Sequence, residues 1–150
     1  MTKKFTHTDY FSASISRQKD LKHLLTNNDS IIFATYCAGV SIECMFRAYI
    51  AKYTNEFDSK HNLEKLYHKS LIGQELNVTE KQKMTIRVKQ ANKIWNNNLR
   101  YTSEKRMKRI IAHENVKKKI TDINKYISNY QSEVFKSTDE IIKIGISKWT

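Results

Sequence analysis

The sequence has no proline and only three glycines in 150 residues. Those two residue types supply most of the special backbone angles of β-turns, so a chain nearly without them has little material for hairpins. Leu, Lys, Ile, Glu, Gln and Met at helix-compatible spacing remain, and they imply an all-α fold. Neither a phosphate-binding glycine loop nor a Cys-x-x-Cys pair is present, which excludes the common nucleotide-loop and zinc-ribbon signatures. Cys37 and Cys44, the only cysteines, are seven residues apart in one apolar run. That is about 10 Å along a helix, too far for an intrachain disulfide, so both are expected as reduced thiols in a packed helix of a cytoplasmic protein. The N-terminal MTKKFTHTDYFSAS has a basic pair but no apolar h-region. No segment is uniformly apolar over the roughly 20 residues of a membrane span. The most apolar run, IIFATYCAGVSIECMFRAYIA, carries Glu43 and Arg47 and is read as a buried central helix, with no membrane partner expected.

Acidic side chains are scarce in one region. Of the formal charge of +12, residues 81–120 hold +11, with 13 Lys and Arg against Glu104 and Glu114 alone. Such a concentration creates a local positive field that attracts phosphate backbone, which points to RNA or a nucleotide as ligand; a merely solvated basic face is the alternative reading.

Repeats, low-complexity tracts and linkers are lacking, and 150 residues suffice to bury about 70% of the unfolded chain's surface. One domain over 1–150 is expected. Thr8 or Asp9 can cap a first helix over about 9–26 with Phe11, Ile15, Leu21 and Leu25 on one side. Asp29 or Ser30 can cap a second over about 30–52, apolar on most of its circumference and therefore central. HNLEKLYHKS forms a short helix with Leu63, Leu66 and Tyr67 inward, stopping near Gly73. Thr79 with Gln82 reads as a capping box for a long helix whose Met84, Val88, Ala91 and Trp95 share a face and which ends near Leu99.

Thr102 or Ser103 can cap the next helix, with Met107, Ile110 and Ile111 on its inner side. From Val116 the apolar seam continues through Ile120, Ile123, Ile127, Tyr130 and Val134 but in roughly opposite angular phase. A break near residues 112–115, with Asn115 capping the last helix, is expected. The result is an up-and-down bundle of four main helices plus one short one. Ile141, Ile142, Ile144, Ile146 and Trp149 add more apolar surface than one face of the last helix can bury, so a homodimer is expected.

The stretch EKRMKRIIAHENVKKK, residues 104–119, is the richest in chemistry. On a helix Arg106 and His113 differ by only about 20° around the axis, and Arg109 lies between them. Lys105, Lys108, Lys117, Lys118 and Lys119 surround them as candidate phosphate contacts. A neutral imidazole can take a ribose 2′-hydroxyl proton and a guanidinium can hold the charge developing on a phosphorane, chemistry that needs no metal. One histidine on a basic helix is also a common surface feature. Glu43 in the apolar helix needs a partner, Arg47 at i+4 or Arg100. His61 and His68 lack the carboxylates or thiols of a metal site and read as ordinary helix-end histidines. Trp95 reads as core, and Tyr101 and Tyr67 are candidates for stacking on bases.

These elements together resemble the HEPN superfamily (higher eukaryotes and prokaryotes nucleotide-binding domains). The resembling parts are AGVSIECMFRAYIA with Glu43 and Arg47, His61 with Leu63, and Trp95 followed by Arg100 and Tyr101, spread over roughly residues 9–148. The resemblance implies a metal-independent ribonuclease of the toxin–antitoxin or phage-defence kind. Its arginine, four to six residues, histidine motif falls on Arg106 and His113. The four-residue spacing would instead place Lys108 where arginine is usual, and Arg109 is one residue too close. Two copies would bring both Arg106–His113 pairs to one cleft, and a nucleotidyltransferase antitoxin is an implied partner. A non-catalytic module that binds RNA or a nucleotide, or docks a protein through the same basic face, is the alternative.

Overall fold

The computed structural model describes residues 4–27, 31–95, 97–103, 105–107, 109, 113 and 123–150. These residues form α1 (His7–Asn27), α2 (Ile31–Tyr53), α3 (Leu63–Ser70), α4 (Val78–Ile94) and α5 (Ile123–Lys148), with 3₁₀ turns at Ile72–Glu75 and Asn97–Tyr101. Residues 105–107, 109 and 113 are also helical, and there is no strand among the described residues. The expected all-α class is thus observed as a helical bundle. The expected break near 112–115 and its Asn115 cap lie outside the described residues, as do Val116 and Ile120 and the Asp29 and Ser30 caps.

Local signals set most boundaries, though not always at the expected residue. α1 starts about two residues early because Thr6, rather than Thr8 or Asp9, is its cap. Thr6 Oγ1 accepts from the Asp9 amide at 3.2 Å, and Asp9 Oδ2 accepts from the Thr6 amide at 2.8 Å. α4 likewise begins at Asn77 with Glu80, whose reciprocal bonds of 2.8 and 3.1 Å form the capping box expected at Thr79 and Gln82. Asn77 satisfies the orphan amide of Glu80, so the helix begins two residues sooner. α3 ends at Leu71 in the left-handed region, φ 57°, and Gly73 falls in the 3₁₀ turn that follows. α4 stops at Ile94, with Trp95 as C-cap, and not near Leu99.

α2 is the axis of the bundle, packed by α1, α3 and α5 and by the Asn97–Tyr101 turn. It is 23 residues long and apolar enough to cross a membrane by length and composition, with a mean hydropathy of 1.4 over its best window, but 78% of that window is buried by the rest of the chain. Its small residues permit close approach. Ser41 and Ser14 of α1, both fully buried, exchange bonds: Ser14 Oγ donates to the Ser41 carbonyl at 2.6 Å and Ser41 Oγ to the Ser14 carbonyl at 2.7 Å. Only Leu21 of the four apolar residues expected to line the inner side of α1 is fully buried, with Ser14 and Gln18 taking the closest positions. Small polar side chains win there because two helix backbones meet.

The core joins Ile42, Met45, Phe46 and Tyr49 of α2 to Leu63, Leu66 and Tyr67 of α3, Met84 and Val88 of α4, and Ile141 and Ile142 of α5. Tyr49 Oη donates to the Gly145 carbonyl at 2.6 Å. Gly145 is needed at that crossing, since a Cβ there would sit 2.6 Å from Met45 Sδ. The apolar surplus expected on α5 is mostly used within this chain. Ile141 and Ile142 are fully buried, and Trp149 stacks on Phe11 of α1 at 4.6 Å, leaving Ile146 as the exposed large apolar residue among the described side chains of α5.

Candidate nucleic-acid interface

The segment after α4 presents the cationic residues. Ser103, one of the two expected caps, accepts from the Arg106 amide through Oγ at 3.1 Å, and its carbonyl accepts from the Met107 amide at 3.0 Å. Leu99 (5% exposed) and Met107 (2% exposed) fasten the segment to the bundle. Lys105, Arg106, Arg109 and His113 are exposed, and Tyr101 is 79% exposed. The expected amphipathic arrangement is therefore observed at every described position between 105 and 113. The Arg100 side chain and all of Lys108, Lys117, Lys118 and Lys119 lie outside the described residues.

α4 adds Lys81, Lys83, Lys89 and Lys93, all exposed. Arg87 does not join them. Its Nε donates to Glu140 Oε2 at 2.5 Å and its NH1 to Gln90 Oε1 at 3.0 Å, with Glu133 Oε2 at 3.6 Å. That charge is used to bind α4 to α5, a cancellation that charge counting along the chain cannot register.

Beside Arg106 a cleft of ≈ 870 Å³ separates α2, α4, the 98–107 segment and α5. Its walls mix Ala38, Ile42, Ile94, Leu99 and Met107 with Gln90, Asn98, Asn129 and Ser137, and Lys93 and Arg106 stand on it. Trp95 forms part of the wall and is 6% exposed, as the core reading expected. Its indole lies directly on α2 at Gly39, where a Cβ would come within 1.7 Å of the ring. Nothing in the sequence marked this cleft.

Glu43 occupies a second polar cluster. Its Oε1 accepts from Arg47 Nε at 3.0 Å and Arg47 NH2 at 2.8 Å, so Arg47 is the partner expected at i+4. It also accepts from His61 Nδ1 at 2.7 Å. Arg47 further donates NH1 to the Asp58 carbonyl and NH2 to the Lys60 carbonyl, the latter at 2.9 Å. The cluster ties the 54–62 connection to α2. His61, read from sequence as a mere helix-end residue, is thus part of it, and its ring meets Trp95 edge-on with centroids 6.1 Å apart. His61 stands two residues before Leu63, the first apolar residue of α3's inner face, and carried no spacing signal to Glu43 eighteen residues away.

The remaining candidates settle simply. Tyr67 is 6% exposed and cannot stack on a base. His68 is exposed. Both cysteines are free, and burial pushes each thiol up to about 11, which makes them poor nucleophiles. Among the described residues no group of three His, Cys, Asp or Glu side chains could hold a metal ion. No family model, no curated protein and no solved structure matches the chain.

Proposed function

We propose that the protein acts on RNA, holding the strand on its cationic segment and cleaving it without a metal ion in the manner of a HEPN ribonuclease. The observation that carries this reading is the exposure of Arg106, Arg109 and His113 around the buried Met107, which offers cations and an imidazole to the same strand. His113 in its neutral form takes the proton of a ribose 2′-hydroxyl as that oxygen attacks phosphorus. The P–O5′ bond breaks, the leaving oxygen takes a proton from solvent water, and the ends are a 2′,3′-cyclic phosphate and a 5′-hydroxyl. Arg106 holds the charge on the phosphorane, with Arg109 as its substitute. Lys105, with Lys108 and Lys117–Lys119, and Arg100 and Tyr101 hold the flanking strand. An up-and-down HEPN arrangement, a homodimer that pairs two Arg106–His113 sets, and an antitoxin partner belong to the same reading and rest on the resemblance in sequence.

A second reading is favoured by the cleft. Arg106 lines it, so the best-placed cation serves a binding cavity whether or not His113 reacts, and a non-catalytic RNA or nucleotide module results. Incubation of the protein with mixed RNA in EDTA, alongside His113→Ala, separates the two. Cleavage should leave cyclic phosphate ends and spare DNA, and the variant should lose roughly 10²–10⁴-fold in rate with little change in affinity. Cleavage that persists in the variant or requires Mg²⁺ overturns the catalytic reading, and binding without cleavage by either protein leaves the module.

A further inference from the structure

We infer that the cleft between α2, α4 and α5 receives one unstacked base of a single-stranded RNA, with the adjoining phosphate on Arg106. The inference rests on the RNA reading above and gives that site its recognition element.

Four observations carry it. The cleft, at ≈ 870 Å³, has the volume of a ligand site, whereas packed interiors leave few voids larger than a water molecule. It reaches the surface at Arg106, which is both exposed and part of its lining, so a group in the cleft is joined to the cationic segment by the shortest path. Its walls are of two kinds. Ala38, Ile94 and Met107 line it with apolar atoms, while Gln90 offers an amide whose orientation is set. Gln90 Oε1 accepts from Arg87 NH1 at 3.0 Å and from Ser137 Oγ at 3.3 Å, which makes Nε2 the donor end toward a base edge. The fourth observation is Trp95, whose indole is seated on Gly39 and forms part of the cleft wall, a fixed aromatic side chain beside any group the cleft receives.

Charge agrees with this occupant. Glu133, the acidic side chain among the described lining residues, faces Arg87 at 3.6 Å, which offsets its repulsion of a phosphate at the mouth. Single-stranded RNA presents bases that can be splayed out and bound one at a time.

Trp95 reports on its own cleft. The chain has two tryptophans, and Trp149→Phe, in the separate cluster with Phe11, leaves Trp95 as the only indole. This variant is titrated at low salt with a 2′-O-methyl RNA hexamer, which lacks the nucleophile for cleavage, and with a hexamer of the same backbone whose units are abasic. Binding is followed by anisotropy and the cleft by Trp95 emission. The intact strand should quench Trp95 in step with binding; the abasic strand should bind about tenfold more weakly and leave the emission unchanged. Ala91→Phe, which places a ring at the cleft wall, should weaken the intact strand about tenfold with its helical circular dichroism retained. Binding of the intact strand with no change in Trp95 emission, or equal affinity for the two strands, overturns the base site and leaves RNA binding intact. No binding of either strand removes the RNA reading itself and the base site with it.

Discussion

Gly39→Ala reverses the sign that helix propensity alone assigns. In the middle of a helix alanine is favoured over glycine by about 1 kcal/mol, and α2 runs from Ile31 to Tyr53 with Gly39 well inside it. The Trp95 ring, however, occupies the space of the missing side chain, since a Cβ at Gly39 would lie 1.7 Å from Trp95 Cδ1 and 1.9 Å from its Nε1. Neither ring atoms nor helix backbone can yield that distance, so the indole must leave its place. Loss of a buried tryptophan costs about 3–5 kcal/mol, and the propensity gain offsets about 1 kcal/mol of it. The net destabilisation is then about 2–4 kcal/mol, or roughly a 5–15 °C fall in Tm for a chain of this size. Urea unfolding followed by circular dichroism measures it, and Trp95 emission should shift to longer wavelength in the folded variant. A second substitution, Trp95→Leu, should cost less in the Gly39→Ala background than in the parent, because both remove the same contact. A Gly39→Ala protein as stable as the parent, or more so, would refute the packing argument.

Three further outcomes test the polar clusters and the thiols. Glu43→Ala should cost about 3–5 kcal/mol, because Arg47 keeps its buried charge with only carbonyl partners, and limited proteolysis should then cut the 54–62 connection; an unfolding midpoint and digestion pattern like the parent's would contradict the cluster's role. Hydrogen bonds from Lys69 and from the Lys60 amide hold the Asp58 carboxyl below the usual carboxylate range. A lowered native pKa stabilises the fold above the unfolded value of ~4 and is lost as pH falls through the native one. Asp58→Asn should therefore flatten the acid side of the stability profile below about pH 4, and a profile parallel to the parent's would contradict it. Ellman's reagent at pH 8 should react slowly with Cys37 and Cys44 in the folded protein, whose thiols burial raises to about 11, and rapidly in urea; fast native labelling would show that the thiols are not held as described.

What the amino-acid order determined by itself was largely one-dimensional. The scarcity of glycine and proline, the helical period of Met84, Val88 and Trp95, the apolar circumference of α2 and the Ser103 cap follow from interactions within a few residues of each other, and each is observed. The exposure of Arg106, Arg109 and His113 opposite Met107 was legible for the same reason, since helix periodicity sorts neighbours by angle. Caps were legible in kind and misplaced in position, because several Thr, Asn and Asp residues near a helix start compete for the same amide. Tertiary structure alone decided the rest. Arg87 loses its place in the basic field because Glu133 and Glu140 stand on another helix, His61 joins Glu43 across a connection, and Ser14 replaces an apolar contact because two backbones cross there. The cleft beside Trp95 exists only where four segments meet around a side chain seated on Gly39. Pairings between distant residues depend on how helices cross, and no local period in the chain encodes that.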